Sequence, residues 1–513
     1  MRLKWISFLL IFSLLLQAED SLLQNMGLDS DVVKQETKYS CHALSPAAPP
    51  AQHSGAEGLP PLPLPVVPLR RTEKKNPPRP PVLVAKLATG NRNDWATNPS
   101  DIKNLLRWMA ENLNVHFSSI VMPVNRIPSD LKELKKIPVI YRTGHDSFQF
   151  SPQERKKLHD YVLQGGTLLF DACCGRAAFV KSAIQEIRAI MPERSPYFLD
   201  THHPLFHSFF DIKEINFRPY ALKAGAKNNS PDIIGVDIGC RTAIFFFRWD
   251  MSCGWDNLPD SDTHHCLGYT IPCAKEIGAN LMAYITAEHS AAIPLSQSLK
   301  FVDETQSKAG KFEIARIKYN GIWKTREAGL SMLLNTFHQQ TKTPIRFAEE
   351  EVTLDSKRLF DLPFVYMTGH QNFILTENER AGLRSYLMRG GILLAEACCG
   401  RAGFQESFLY EMTKVMPGFS LERLPPNHPI FLYPNTISAV HPRPALAKKL
   451  KTKNAVIPPE LYALKYKEHI AVIYSPRGLS CGWELAECPY CEGLQSKDAI
   501  TLGVNILSYC IMQ

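Results

Sequence analysis

Two pairs of adjacent cysteines, Cys173-Cys174 and Cys398-Cys399, stand 225 residues apart in the same setting, Ala-Cys-Cys-Gly-Arg-Ala. Each pair follows a short apolar run and precedes a stretch of helical character, so a thiolate there would sit at the positive end of a helix dipole. Upstream of each pair is Thr-Gly-His, carrying His145 or His370, and downstream is Ser-Cys-Gly-Trp, carrying Cys253 or Cys481. Cys266 and Cys491 follow. Three chemistries use such residues: a cysteine nucleophile with a histidine base, disulfide bonding, and tetrahedral metal binding.

The compartment bears on which applies. Arg2 and Lys4 precede an apolar run from Ile6 to Leu16 that ends at Gln17-Ala18-Glu19, the pattern of a signal peptide over residues 1–18. About a dozen apolar residues are too few to cross a hydrocarbon core of about 30 Å as a helix, so membrane association would come only through this segment, left uncleaved. Residues 19–81 are Pro-rich, with basic residues at Arg70, Arg71, Lys74, Lys75 and Arg79, and read as an extended disordered linker. The expected location is exported, periplasmic or extracellular. A net charge of +8 over 513 residues is modest, and no basic stripe interleaved with aromatics marks a nucleic-acid binder.

Thirteen cysteines in an exported chain are expected to be oxidised or metal-bound. Four recur per repeat, Cys173, Cys174, Cys253 and Cys266 against Cys398, Cys399, Cys481 and Cys491. Disulfides are the leading expectation, with Cys253 and Cys481 as partners, because adjacent cysteines bond each other only through a strained ring. The alternative is a zinc site using Cys174, Cys253 and Cys266, and Cys399, Cys481 and Cys491, with His145, His264 or His265 as substitutes. Covalent catalysis would use Cys173 or Cys174 with His145, and Cys398 or Cys399 with His370. Cys488-Pro489-Tyr490-Cys491 spells a glutaredoxin-like motif, but too little chain follows it for that fold, so a local disulfide or metal clip is expected.

The other repeated residues read as structural. His145 and His370 suit hydrogen-bonded turns. Asp171 and Glu396 suit ion pairs with Arg176 and Arg401. His203-Pro204-Leu205-Phe206 and its counterpart at 428–431 suit apolar loops, and Trp255 and Trp483 suit the core. No phosphate-binding glycine loop or HExxH helix is found.

What must position these residues is a duplicated unit. Residues 142–179 and 367–404 match at 19 of 38 positions without a gap, and further landmarks place the repeats at 82–288 and 311–513, joined by a linker at 289–310. Apolar runs such as 138–141 and 167–170 read as buried strands and alternate with helices. Ser151 with Glu154, and Thr376 with Glu379, have capping-box spacing, and Gly165-Gly166 and Gly390-Gly391 are helix stops. Alternating strands and helices imply a parallel sheet covered on both faces. His145, Cys173, Cys174 and Cys253 would then gather at the carboxyl ends of the strands, as would His370, Cys398, Cys399 and Cys481.

The ordered motifs YRTGHDSF and YMTGHQNF, DACCGRA and EACCGRA, HHPLF and NHPIF, and the closing SCGW resemble the bacterial domain-of-unknown-function family 4159 over both repeats. The resemblance implies two tandem flavodoxin-like (Rossmann-like) three-layer α/β domains with mainly parallel sheets, similar to class I glutamine amidotransferases and ThuA-like domains, and no known activity. The glutamine amidotransferase pattern needs a second histidine followed by a carboxylate, which His203-Pro204-Leu205 lacks, and Ala172 stands where an elbow glycine is usual. The chain is therefore read as a non-catalytic binding or scaffold protein of the bacterial envelope. Its repeats would form an internal pseudo-dimer facing an envelope or extracellular partner. A Cys-His dependent hydrolase or amidase is the alternative.

Overall fold

The computed structural model describes residues 80–89, 94–128, 136–261, 264–298, 313–343, 350–452 and 456–512. The expected signal peptide, and all but the end of the Pro-rich linker, lie outside them. No helix among the described residues is long and apolar enough to cross a membrane.

Each repeat has its own seven-stranded sheet. The first contains β1 (Val82–Ala88), β2 (Ser118–Pro123), β3 (Val139–Gly144), β4 (Thr167–Ala172), β5 (Tyr197–Phe198), β6 (Ile233–Ile238) and β7 (Arg241–Phe247), in the order β2-β1-β3-β4-β7-β6-β5. The second contains β8 (Ile314–Lys318), β9 (Glu350–Thr353), β10 (Phe364–Gly369), β11 (Ile392–Ala397), β12 (Glu422–Arg423), β13 (Tyr462–Tyr466) and β14 (His469–Ser475), in the equivalent order β9-β8-β10-β11-β14-β13-β12. In both, five strands run parallel and the last two are added antiparallel through a hairpin.

The strand residues divide by parity between two cores. Tyr141, Leu169 and Phe245 pack with Ile102 and Leu105 of the helix Asp101–Leu113 and with the helix Ile271–Ser298, while their neighbours Ile140, Leu168 and Phe246 pack with the helices Pro152–Leu163 and Ala177–Ile190. The second repeat divides the same way. Apolar side chains on successive positions are what a sheet buried on both faces requires, and the result is three layers.

The expected punctuation forms. Both capping boxes are closed in both directions. After the helix stop, a side chain at Gly166 or Gly391 would collide with the ring of Tyr161 or Tyr386 at 2.3 Å, so the strand can enter there only as glycine. Trp255 and Trp483 are core residues whose indole N–H groups donate to Ala274 O at 2.8 Å and Ala499 O at 2.9 Å. The helix Ile271–Ser298 continues into residues expected as linker.

The repeats touch through unlike surfaces. The Gly239-Cys240 turn between β6 and β7 reaches the carboxyl edge of the second sheet, where Cys240 Sγ lies 3.3 Å from Cys398 Sγ and 3.2 Å from Cys481 Sγ. Arg194 donates to Lys324 O at 2.9 Å and pairs with Glu327, and Tyr284 stacks on Tyr490 with centroids 5.3 Å apart. The corresponding turn of the second repeat is Lys467-Glu468.

Candidate metal centres

In the first repeat, β4 ends in a one-turn Cys173–Gly175 segment in which Cys174 takes φ 53°, ψ 17°, a left-handed conformation that is costly for a residue with a side chain. Asp250 offsets that cost. Its buried carboxylate accepts the Cys174 N–H and, at 2.7 Å, the Cys253 N–H, tying the end of β4 to the Ser252–Trp255 turn. The loop after that turn brings His264 and Cys266 back to the same point. Gly268 packs against Asp250 O, and a side chain there would meet that oxygen at 2.5 Å and Cys266 Sγ at 3.0 Å.

Four ligand atoms converge. The donors of Cys174, Cys253, His264 and Cys266 all lie within 4.8 Å of one another. Cys174 Sγ is 3.8 Å from Cys253 Sγ, and His264 Nε2 is 3.6 Å and 3.5 Å from those two sulfurs. A tetrahedral zinc ion, bonded at about 2.3 Å to sulfur and about 2.0 Å to nitrogen, holds two sulfurs about 3.8 Å apart and a sulfur and a nitrogen about 3.5 Å apart. The other nitrogen of His264, Nδ1, lies 2.9 Å from Pro259 O and donates to it, which leaves Nε2 as the atom that faces the sulfurs. Asn98 adds N–H donors to Cys173 at 3.3 Å and Cys253 at 3.4 Å. Burial pushes the Cys266 thiol well above its usual range, so ionising it here needs a compensating cation.

The second repeat builds the same frame with other atoms. Cys399 has φ 56°, ψ 14°. Gly478 stands where the first repeat has Asp250, and Glu396 of β11 accepts the N–H groups of Leu479 and, at 3.0 Å, Ser480. Glu396 also accepts the Tyr366 hydroxyl at 2.5 Å, while Asp171 accepts Met251 N at 2.9 Å and the Thr143 hydroxyl at 3.1 Å. The carboxylates expected to pair with Arg176 and Arg401 thus tie the strand end to the Ser-Cys-Gly-Trp turn, and burial pushes Asp171 up to about 7.

Six cysteines make one buried cluster in this repeat: Cys240, Cys398, Cys399, Cys481, Cys488 and Cys491. Cys481 is central, 3.3 Å from Cys399 and 3.9 Å from Cys398. Hydrogen bonds from Cys240 and the neighbouring thiols hold Cys481 well below the usual thiol range, whereas burial pushes Cys240 and Cys399 up. Arg326, the counterpart of Asn98, donates Nε to Cys240 Sγ at 2.9 Å and another N–H to Cys488, and it pairs with Glu484 at 3.0 Å.

Both repeats bring the adjacent cysteines to the Ser-Cys-Gly-Trp cysteine, and Cys266 and Cys491 join them. Disulfides are the leading expectation from the sequence, and none forms among the described cysteines: Cys174 and Cys253 lie 3.8 Å apart and Cys399 and Cys481 3.3 Å apart at sulfur, far from the roughly 2.05 Å of a bond. Cys488 and Cys491 likewise do not bond each other but both enter the cluster. His145 is outside every convergent ligand set, its backbone N–H donating to Asp94 at 2.8 Å, and His264 supplies the imidazole instead. His370 does reach the sulfurs, with Cys240, Cys398 and Cys399. Cys240 and Asp237 were not foreseen. Neither has a matching residue in the other copy, since Lys465 and Glu468 stand there, and that mismatch in an otherwise faithful repeat was the available signal.

A search of curated proteins finds no match. Among solved structures, a Bacteroides uniformis ATCC 8492 protein described as ThuA-like is 12% identical, covering 40% of this chain and 94% of its own length at a TM-score of 0.23. The profile of DUF4159, a domain of unknown function, matches residues 83–286 and again residues 313–511. Matched twice over most of its length, the chain belongs to the DUF4159 family and carries that domain in two tandem copies.

Proposed function

We propose that the chain is an exported, non-catalytic binding or scaffold protein of the bacterial envelope, whose first module is stapled by a zinc centre of Cys174, Cys253, His264 and Cys266. The observation that carries this reading is the convergence of four protein donors within 4.8 Å, three of them at the spacings a tetrahedral ion sets. Four protein ligands leave no position for a water or substrate, which is the signature of structural rather than catalytic zinc. Bound zinc would also protect these thiols from oxidation outside the cytoplasm. The binding surface is the cleft of about 920 Å³ between the repeats, bordered by His202 and His207 on one side and Arg401, Lys448 and Tyr490 on the other.

One observation favours the second reading, a Cys-His hydrolase or amidase. Cys399, His370 and Asp237 all border that cleft, and His370 Nδ1 lies 3.2 Å from Asp237 Oδ2, an order that suits a nucleophile, a base and its orienting carboxylate. The two readings separate by elemental analysis and thiol titration of the purified protein. The scaffold reading expects bound zinc and thiols that react only after chelation. Zinc-free protein with one fast-reacting thiol, abolished by Cys399→Ala, would replace it with the hydrolase.

A further inference from the structure

We propose that the second repeat carries a two-metal thiolate centre, made by six cysteines and His370 and completed across the repeat boundary by Cys240. The inference shares with the first centre the reading of these sulfurs as metal ligands, but rests on separate residues and separate observations.

Donor count is the first. Seven donors gather here, six sulfurs and one imidazole. One tetrahedral ion uses four, leaving three buried thiols idle, whereas two tetrahedral ions sharing one bridging thiolate use seven. The convergent sets divide accordingly. Cys240, His370, Cys398 and Cys399 form one complete set of four. Cys481 belongs to two sets of three, one with Cys240 and Cys488 and one with Cys399 and Cys491; a second ion would draw on Cys481, Cys488 and Cys491 and share Cys240 or Cys399 with the first.

His370 is the second. Its ring is 4% exposed, and Nε2 has no hydrogen-bond partner among the described residues although it is buried. Nδ1 faces the carboxylate of Asp237. Such a carboxylate fixes the tautomer of a metal-binding imidazole and leaves the other nitrogen as the ligand, so the unpartnered Nε2 acquires a role.

Charge is the third. Coordination displaces the remaining thiol protons to solvent, and two divalent ions with six thiolates carry a net charge of −2, with no change in oxidation state. Two buried guanidiniums stand by. Arg326 directs N–H donors at Cys240 and Cys488, and Arg443 lies beside the Cys481 carbonyl at 3.5 Å. Arginine cannot deprotonate, so this placement suits anionic sulfur. Thiolate-rich tetrahedral sets of this kind suit zinc, the divalent ion proposed here.

The test uses the full chain and counts zinc by elemental analysis. Wild type is expected to hold three ions. His264→Ala should reduce the count to two by emptying the first repeat alone, and Cys240→Ala should leave two or fewer with the first-repeat ion retained. A count of two in His264→Ala can be checked without disturbing the second repeat's own residues: cobalt(II) loaded into that variant should show the thiolate charge-transfer bands of tetrahedral sites and the reduced magnetic moment of two ions sharing a sulfur. One ion or none in His264→Ala, a Cys240→Ala protein that still holds three, or a brown iron chromophore with acid-labile sulfide would each overturn the two-zinc centre. Loss of the only ion with His264→Ala would overturn it while leaving the first centre standing.

Discussion

His370 of the second repeat and Asp237 of the first meet at 3.2 Å between Nδ1 and Oδ2, both almost completely buried. Asp237 also accepts the Tyr197 hydroxyl at 2.7 Å and the Thr242 hydroxyl at 2.6 Å, so one carboxylate anchors its own hairpin and orients a histidine of the other module. Its partners hold Asp237 ionised: burial raises its pKa, but the hydrogen bonds it accepts, from His370 first and then Thr242 and Tyr197, bring it below the usual range, to about 2.

Asp237→Ala should therefore act at two levels. Three donors, those of His370 and Thr242 buried and that of Tyr197 partly so, lose their acceptor, which should lower stability by about 3 kcal/mol in denaturant unfolding. Metal affinity in the second repeat should fall roughly 10- to 100-fold as the imidazole loses its orientation, while the first repeat is unaffected. Unchanged affinity in competition with a chromophoric chelator would remove Asp237 from the centre.

Chelation should cost the first repeat its staple. If the first repeat holds zinc as proposed, its removal would leave three buried thiols, that of the left-handed Cys174 among them, without a shared centre, so the melting temperature should drop and Cys174, Cys253 and Cys266 should become reactive together. A melting curve that chelator does not move would count against bound metal.

A pair conserved between the copies makes a test independent of metal. Arg155 binds Glu186 through two N–H donors at 2.8 Å and 2.7 Å, and Arg380 binds Glu411 at 2.7 Å and 2.9 Å; both carboxylates are buried. Each joins the two helices on one face of its sheet. Because Arg380 is partly exposed and can rehydrate, Glu411→Ala should cost about 3 kcal/mol, at the lower end for a broken buried pair, measured by urea unfolding. A change within about 0.5 kcal/mol would show the pair to be replaceable by water.

His203 gives a pH dependence. Its Nδ1 accepts the Leu205 N–H at 3.1 Å, its Nε2 faces the Thr242 hydroxyl at 3.0 Å, and burial holds it well below the usual imidazole range. The unfolded chain, with an ordinary pKa near 6.5, takes up a proton that the folded chain refuses. The stabilisation is thus full above about pH 7 and is lost as pH falls toward the folded value, at up to about 1.4 kcal/mol per pH unit. His203→Gln should flatten the stability profile between about pH 7 and 5, and an unaltered slope would show that another group controls it.

The sequence carried the parts of the fold that depend on local chemistry. The capping boxes at Ser151 and Thr376, the glycine stops and the alternation of apolar runs are decided within a few residues, and all reappear as elements. The meeting of Cys174 with Cys253 was legible for a topological reason, since both follow strands whose carboxyl ends share an edge. Cys240 was not legible. It lies in a hairpin turn whose counterpart is Lys467-Glu468, and its role is set by how one module packs on the other, a long-range relation that periodicity does not encode. His264 was named only as a substitute, because a loop histidine has no spacing rule until the loop is folded.

The Gly239-Cys240 turn has a further consequence. A contact that seats one module's turn on another's sheet edge joins unlike surfaces, and repeated identically it would add copy after copy into a ring or filament. Here the second copy presents Lys467 and Glu468 in place of glycine and cysteine. It receives a turn but has no sulfur to offer a next edge, so this sulfur contact, as built, joins one turn to one edge within a single chain.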